Sequence, residues 1–206
     1  MIRILAGIAT VNPDRRFIES VSRLFAHQKR YHIDPLWVWD TPLVHAQNYM
    51  GIECVGGSYN YLLTLEDDHW GHTPQMLYDL VDAAVSVCAI GYPIRHYPFI
   101  SSLMNWNENR GLYEPATSDE KYAEVDLACF GMTLIRADVF QLLQFPYFNL
   151  NEKNPETGAT DENFCRRIKE FGVRPVGCFA HTLNHRHLTK DNINQIRGGA
   201  IVEYRR

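Results

Sequence analysis

A chain of 206 residues with 46% hydrophobic and 21% charged residues has an ordinary globular composition, with room for one substantial domain and not for two. Its formal net charge of -4 supplies no broad basic field for gripping nucleic acid or an anionic membrane surface. No run approaches the roughly 18 consecutive apolar residues of a transmembrane segment, and the opening apolar run is too short for a secretory signal. The expectation is one compact domain over residues 1–206, with 189–206 as a polar tail, in the cytoplasm. The cysteines Cys54, Cys88, Cys129, Cys165 and Cys178 form no CxxC pair, which fits reduced thiols and argues against a zinc ribbon or a disulfide scaffold.

Residues 4–9 read as a first buried strand. Asn12, Pro13 and Asp14 then give a helix start, and Phe17, Val21, Leu24 and Phe25 follow at helical spacing. A second strand over 36–39 leads through Asp40, Thr41 and Pro42 to a helix near 46–54, which Gly56 and Gly57 end. Tyr61 to Leu65 is an apolar strand that runs into Glu66, Asp67, Asp68 and His69. His72, Thr73 and Pro74 open another helix, with Met76, Leu77, Leu80, Val81 and Ala84 on one stripe, and residues 85–90 read as a strand. Strands alternating with helices at this spacing predict a largely parallel sheet.

Residues 92–124 lack a sustained period, which marks a functional loop or lid, or short irregular strands. Residues 125–135 read as a core strand interrupted by Gly131, 136–143 as a helix and 149–158 as a mobile loop. A helix over 160–171 has Thr160 as its cap, with Asp161 and Glu162 in its first turn. Residues 176–188 form a last, histidine-bearing segment.

The run from Tyr61 carries the most chemistry. Open α/β sheets place ligands beyond the carboxyl ends of such strands, and alternation along an extended chain sends Glu66 and Asp68 to one side and Asp67 to the other. A pair of carboxylates there would clamp a hard divalent cation; a turn that merely precedes a helix is the other reading. His181, His185 and His187 share a face if their run is extended, and a histidine completes an oxygen-rich site for manganese. Asp161 and Glu162 complement a helix dipole, or else one of them faces a cleft as a general base. Gly131 marks close backbone approach, a bulge or a ligand wall, or simple packing. Trp70, Trp106 and Tyr113 are aromatic candidates for stacking on a ligand, or else packing anchors.

In this order the residues resemble the nucleotide-sugar-dependent glycosyltransferases of the GT-A fold, especially the family-two-like enzymes, over most of residues 2–188. The resemblance implies an α/β, Rossmann-type three-layer sandwich with a mainly parallel central sheet. It implies a nucleotide base received at Thr10 and Asn12, donor contacts from Asn48 and Asp67, and Gly131 in the glycine-containing strand beside the acceptor site. Gln47 stands where the family's Ala-Arg-Asn element has its arginine. The acidic motif falls on Glu66, Asp67 and Asp68; glutamate in the first place lengthens the arm and leaves Asp68 the safer ligand. Asp161 falls on the catalytic base, Thr160 on its companion acid, and His185 on the metal-binding histidine, with His187 as its rival.

The activity so implied is hexosyl transfer from a nucleoside diphosphate sugar to a hydroxyl acceptor, with inversion, assisted by Mn2+ or Mg2+. A sugar-phosphate nucleotidyltransferase would use the same clamp, but such enzymes often carry a Gly-rich basic loop after the first strand, and this segment has one glycine. A non-catalytic nucleotide- or carbohydrate-binding protein of the same fold is the alternative outside enzymes. A histidine-centred metallohydrolase is disfavoured because helical HExxH spacing is absent.

Overall fold

The structure, a computed structural model, describes residues 1–94, 101–150 and 160–186. The expected loop over 149–158 falls almost wholly outside these residues, as do His187, the polar tail and part of the 92–124 segment. In chain order the elements begin β1 (Arg3–Thr10), α1 (Arg15–His27), β2 (His32–Trp39), α2 (Leu43–Gly56), β3 (Tyr61–Glu66), β4 (His69–Trp70), α3 (Pro74–Asp82) and β5 (Val87–Gly91). They continue with β6 (Leu103–Asn107), β7 (Leu112–Pro115), β8 (Tyr122–Glu124), β9 (Leu127–Ala128), β10 (Met132–Arg136) and α4 (Val139–Leu142). Last come α5 (Thr160–Lys169), β11 (Val176–Thr182) and β12 (Asn184–His185).

The central sheet has seven strands in the order β2-β1-β3-β10-β5-β11-β8. β2, β1, β3, β5 and β11 share one direction, while β10 and β8 run against them. Side-chain alternation divides the core between the two faces. Ile4, Ala6, Ile8, Leu63 and Leu65 pack with Phe17, Val21 and Leu24 of α1 and Leu77 and Leu80 of α3. Leu5 and Leu62 on the other face pack with Met50 and Cys54 of α2, Phe140 of α4 and Phe164 of α5. The result is the three-layer α/β sandwich, and among the described residues no helix is long and apolar enough to cross a membrane.

The helix starts follow their local chemistry. Asp14 caps α1 by accepting from the Arg16 N–H at 2.8 Å, and Thr73 caps α3 by accepting from Met76 N–H at 3.3 Å, with Pro74 first in the helix. Elsewhere the structure redraws the expected elements. The 92–124 segment contains short strands, of which β6 and β7 form a hairpin in a separate three-stranded sheet with β9. The stretch over 125–135 is two strands, because the chain turns at Phe130 and Gly131 between β9 and β10. Gly131 therefore lies in the turn entering β10 and not inside a strand. The helix expected over 136–143 shrinks to α4, since Arg136 is still paired with Tyr61 as the last residue of β10.

His72 joins the layers rather than the chemistry. Its ring is buried edge-on against Phe17, with Nδ1 2.8 Å from Ser20 Oγ, and burial, aided by the charge of His69, pushes its pKa down to about 3. In the unfolded chain the same ring titrates near 6.5, so between about pH 6.5 and 3 the unfolded state binds the extra proton. Stability is full above that window and falls as pH drops through it. We expect urea denaturation between pH 7 and pH 4 to show a decline of up to about 1.4 kcal/mol per pH unit attributable to this ring, flattened in His72→Gln; an unchanged slope in the variant would assign the decline elsewhere.

Candidate active site

Three parallel strands deliver their carboxyl ends to one edge: Thr10 is paired with Trp39, and Ala9 with Glu66. Beyond Glu66 the chain turns instead of continuing straight. Asp67 folds back on β1, where Thr10 Oγ1 donates to its Oδ2 at 2.7 Å and its carbonyl accepts from Asp14 N–H at 3.3 Å. Asp68 goes the other way. The ribbon of β4 and β12 sets His185 opposite His69, and the Arg186 N–H donates to the Asp68 carbonyl at 2.8 Å, which locks the register.

This pairing brings Asp68 between two imidazoles. Its Oδ1 lies 2.9 Å from His69 Nδ1 and its Oδ2 lies 3.1 Å from His185 Nε2. The two rings stack at 4.7 Å between centroids with 14° between planes. All three residues are buried, and one potential ligand atom from each lies within 4.8 Å of the others. Glu66 Oε2 is 3.7 Å from His69 Nδ1, at the side of the same cluster. The donor set, two nitrogens and one or two carboxylates, suits manganese and related ions.

Tyr92 closes the cluster from below, its ring centroid 4.0 Å from that of His69. Gly131 makes this possible, because a Cβ there would sit 2.5 Å from Tyr92 Cε1 and 3.2 Å from His69 Cε1. Asp161, in the first turn of α5 and 9% exposed, lies close enough to Tyr92 for its charge to act on the phenol. Burial raises its pKa, against the hydrogen bonds that it accepts from the Cys129 thiol and the Glu162 N–H. Burial also raises the Cys129 thiol and the Tyr92 phenol, and the negative charges of both Glu66 and Asp161 add to each shift. Glu66 and Asp161 thus both lie within electrostatic reach of Cys129 and Tyr92.

Beside the cluster a cleft of about 380 Å³ opens over the strand ends, lined by Thr10, Asn12, Thr41, Leu43, Asp67 and Arg186 among others. Asn48 is not part of it: its side chain donates to the Phe148 carbonyl at 2.6 Å and accepts from the Phe148 N–H at 3.1 Å, tying α2 to the segment before α5. His181 also lies apart, with Nε2 2.7 Å from Asp79 Oδ2, a carboxylate that Lys121 Nζ approaches at 3.0 Å. Thr160 is the first residue of α5 and buried. One face of Trp70 is covered by the Arg16 guanidinium at 3.7 Å, whereas Trp106 remains 44% exposed on the β6–β7 hairpin, edge-on to Tyr113. Sequence reasoning missed His69, Tyr92, Cys129 and Arg186. Only His69 carried a local signal, as the imidazole that ends the acidic run.

No family model matches the sequence, and no curated protein matches it. Among solved structures the fold is similar to that of A197 from STIV, with a TM-score of 0.60 and 13% identity over 86% of this chain and 81% of that one. It is also similar to GalNAc-T7 determined with UDP, GalNAc and Mn2+, with a TM-score of 0.61 and 10% identity over 89% of this chain. The match spans 43% of the GalNAc-T7 chain. A looser likeness, to CMP:2-keto-3-deoxy-manno-octonic acid synthetase complexed with CTP, has a TM-score of 0.47 at 10% identity and carries no weight. At such identities the likeness concerns the fold, which is the GT-A-like α/β sandwich that the sequence implies.

The bonds of Asn48 give it a structural role with a measurable signature. Asn48→Ala strands a buried N–H and carbonyl of Phe148 and should lower unfolding free energy by roughly 1–3 kcal/mol, while Mn2+ affinity read by electron paramagnetic resonance stays at the wild-type value. Loss of Mn2+ affinity at unchanged stability would instead bring Asn48 into the site.

Proposed function

We propose that this protein is a divalent-cation-dependent glycosyltransferase that moves a hexosyl group from a nucleoside diphosphate sugar to a hydroxyl-bearing acceptor with inversion. The observation that carries this reading is the convergence of Asp68, His69 and His185 at the carboxyl edge of the sheet, beside a cleft that Asp67 and Arg186 line. The similar GalNAc-T7 structure holds UDP, GalNAc and Mn2+, which supports it.

Asp68, His69 and His185 would hold the ion, with Glu66 in reach; Mn2+ suits this mixed set better than Mg2+, which prefers oxygen ligands. When bound, such an ion supplies Lewis-acid stabilisation of the departing diphosphate. The chain's own residues do the rest. Thr10, Asn12 and Asp67 offer hydroxyl, amide and carboxylate groups at the cleft for ribose and base. Gly131 keeps Tyr92 seated on His69 and so fixes the imidazole plane. Asp161 takes the proton of the acceptor hydroxyl as that oxygen attacks the anomeric carbon, and its raised pKa makes it a stronger base than a solvated carboxylate. Attack from the side of the base, opposite the leaving diphosphate, inverts the anomeric centre.

Two measurements test the assignment. Asp68→Ala and His69→Ala should each weaken Mn2+ binding by more than about 100-fold, beyond what loss of a supporting partner causes, and Glu66→Ala by less; retained affinity in the first two would remove the cation site. Asp161→Asn should lower nucleoside diphosphate release from a panel of nucleotide sugars by about 10²- to 10⁴-fold with donor affinity kept. Wild-type turnover in that variant would take Asp161 out of the mechanism, and absence of turnover in the wild type across donors and acceptors would favour a non-catalytic binding protein.

A further inference from the structure

We infer that Arg186 is the phosphate clamp of this site: its guanidinium receives the diphosphate of a nucleoside diphosphate beside the cation held by Asp68, His69 and His185. The inference rests on the donor-binding reading above and adds the residue that meets the charge of the leaving group.

Position comes first. Arg186 directly follows His185, and its backbone N–H is bonded to the Asp68 carbonyl at 2.8 Å, so it rises from the same ribbon as the cation ligands. Its side chain reaches over the carboxyl end of β1, where one guanidinium nitrogen donates to the Asn12 carbonyl at 2.9 Å, and it lines the cleft of about 380 Å³ together with Thr10, Asn12 and Asp67. Among the described residues that line that cleft, Arg186 is the one cation.

Charge comes second. Asp14, a carboxylate near Arg186, is already held by Arg16, which forks onto it with Nε 3.0 Å from Oδ1 and a terminal nitrogen 2.8 Å from Oδ2. Arg186 Nε is 3.7 Å from Asp14 Oδ2, outside hydrogen-bonding range. Arg16 is further committed by its stacking on Trp70 at 3.7 Å. Arg186 adds only a weaker, longer ion pair to Asp14, so Asp14, Arg16 and Arg186 together carry one net positive charge. The cation side has no such surplus, because a divalent ion is cancelled by the charges of Asp68 and Glu66. Asp67 also lines the cleft, so a diphosphate entering it meets net negative charge unless a cation offsets it. A guanidinium is suited to that task, since its planar fork of donors matches two phosphate oxygens at once and its proton is not lost at any working pH.

Calorimetry in the presence of Mn2+ tests this with four probes, UDP, GDP, CDP and ADP, and then with the nucleoside of whichever binds most tightly. For R186Q we expect about 10- to 100-fold weaker diphosphate binding, unchanged affinity for the nucleoside, and unchanged Mn2+ binding by electron paramagnetic resonance, which shows that the ribbon is intact. R186K, a point charge in place of a fork, should fall between the two proteins. Equal diphosphate affinity in wild type and R186Q would overturn the inference and leave the donor reading standing. Equal loss for nucleoside and diphosphate would also overturn it, by assigning Arg186 to the shape of the Asn12 loop. A wild-type protein that binds none of the four diphosphates would overturn the donor reading and this one together.

Discussion

The contact on which the site depends is the carboxylate of Asp68 held between the nitrogens of His69 and His185, residues 117 positions apart in the second case. A carboxylate that is 8% exposed is expensive to bury without partners, and two imidazoles a few ångströms away answer that requirement. The pairing is held by very little backbone, a ribbon of two residues on each side, β4 and β12. Side-chain chemistry and main-chain pairing support one another here. The ribbon makes the imidazoles stack, and the shared carboxylate gives a ribbon too short to persist alone a reason to close. Tyr92 packs on the same pair, and Arg186 leaves it toward the cleft.

The topology explains why so many functional groups meet at one edge. In a wholly parallel sheet only carboxyl ends of strands arrive there, each with its own loop. β10 runs against its neighbours β3 and β5, so it is the start of this strand that lies beside their ends. The turn at Phe130 and Gly131, and Cys129 just before it, are thereby brought level with Glu66, whose N–H donates to the Gly131 carbonyl at 3.3 Å. One reversed strand thus adds a wall to the edge that the parallel strands built. Gly131 then decides how close Tyr92 can come, since any side chain at that position would displace the phenol ring from His69.

Local physics was legible in the sequence wherever a residue acts within its own element. The buried run ending at Glu66, the Asp14 and Thr73 caps and the alternation of strands and helices each follow from patterns a few residues long. What the sequence hid are partners distant along the chain. An extended reading of residues 66–68 sends Glu66 and Asp68 to a common side, but the chain turns at Asp67 and Asp68, and that turn returns His69 to the Asp68 carboxylate. The alternation that groups His181 with His185 fails for a similar reason: β11 ends at Thr182, His185 belongs to β12 paired with β4, and His181 goes to Asp79. The two bonds between Asn48 and Phe148 could not be read from either segment alone.

The site must also keep two kinds of carboxylate from interfering with one another. In the proposed reaction the carboxylates beside His69 and His185 would act ionised, whereas Asp161 would act as a base whose pKa burial raises. Direct contact between them would force a shared proton and blur both roles. Tyr92 and Cys129 are the residues that both Glu66 and Asp161 act on. Burial first, and the flanking carboxylates next, push the phenol and the thiol far above their usual pKa values, so both stay protonated and neutral. A neutral phenol and thiol add no charge of their own to either pole, yet the thiol still donates to Asp161 and limits how far burial raises it.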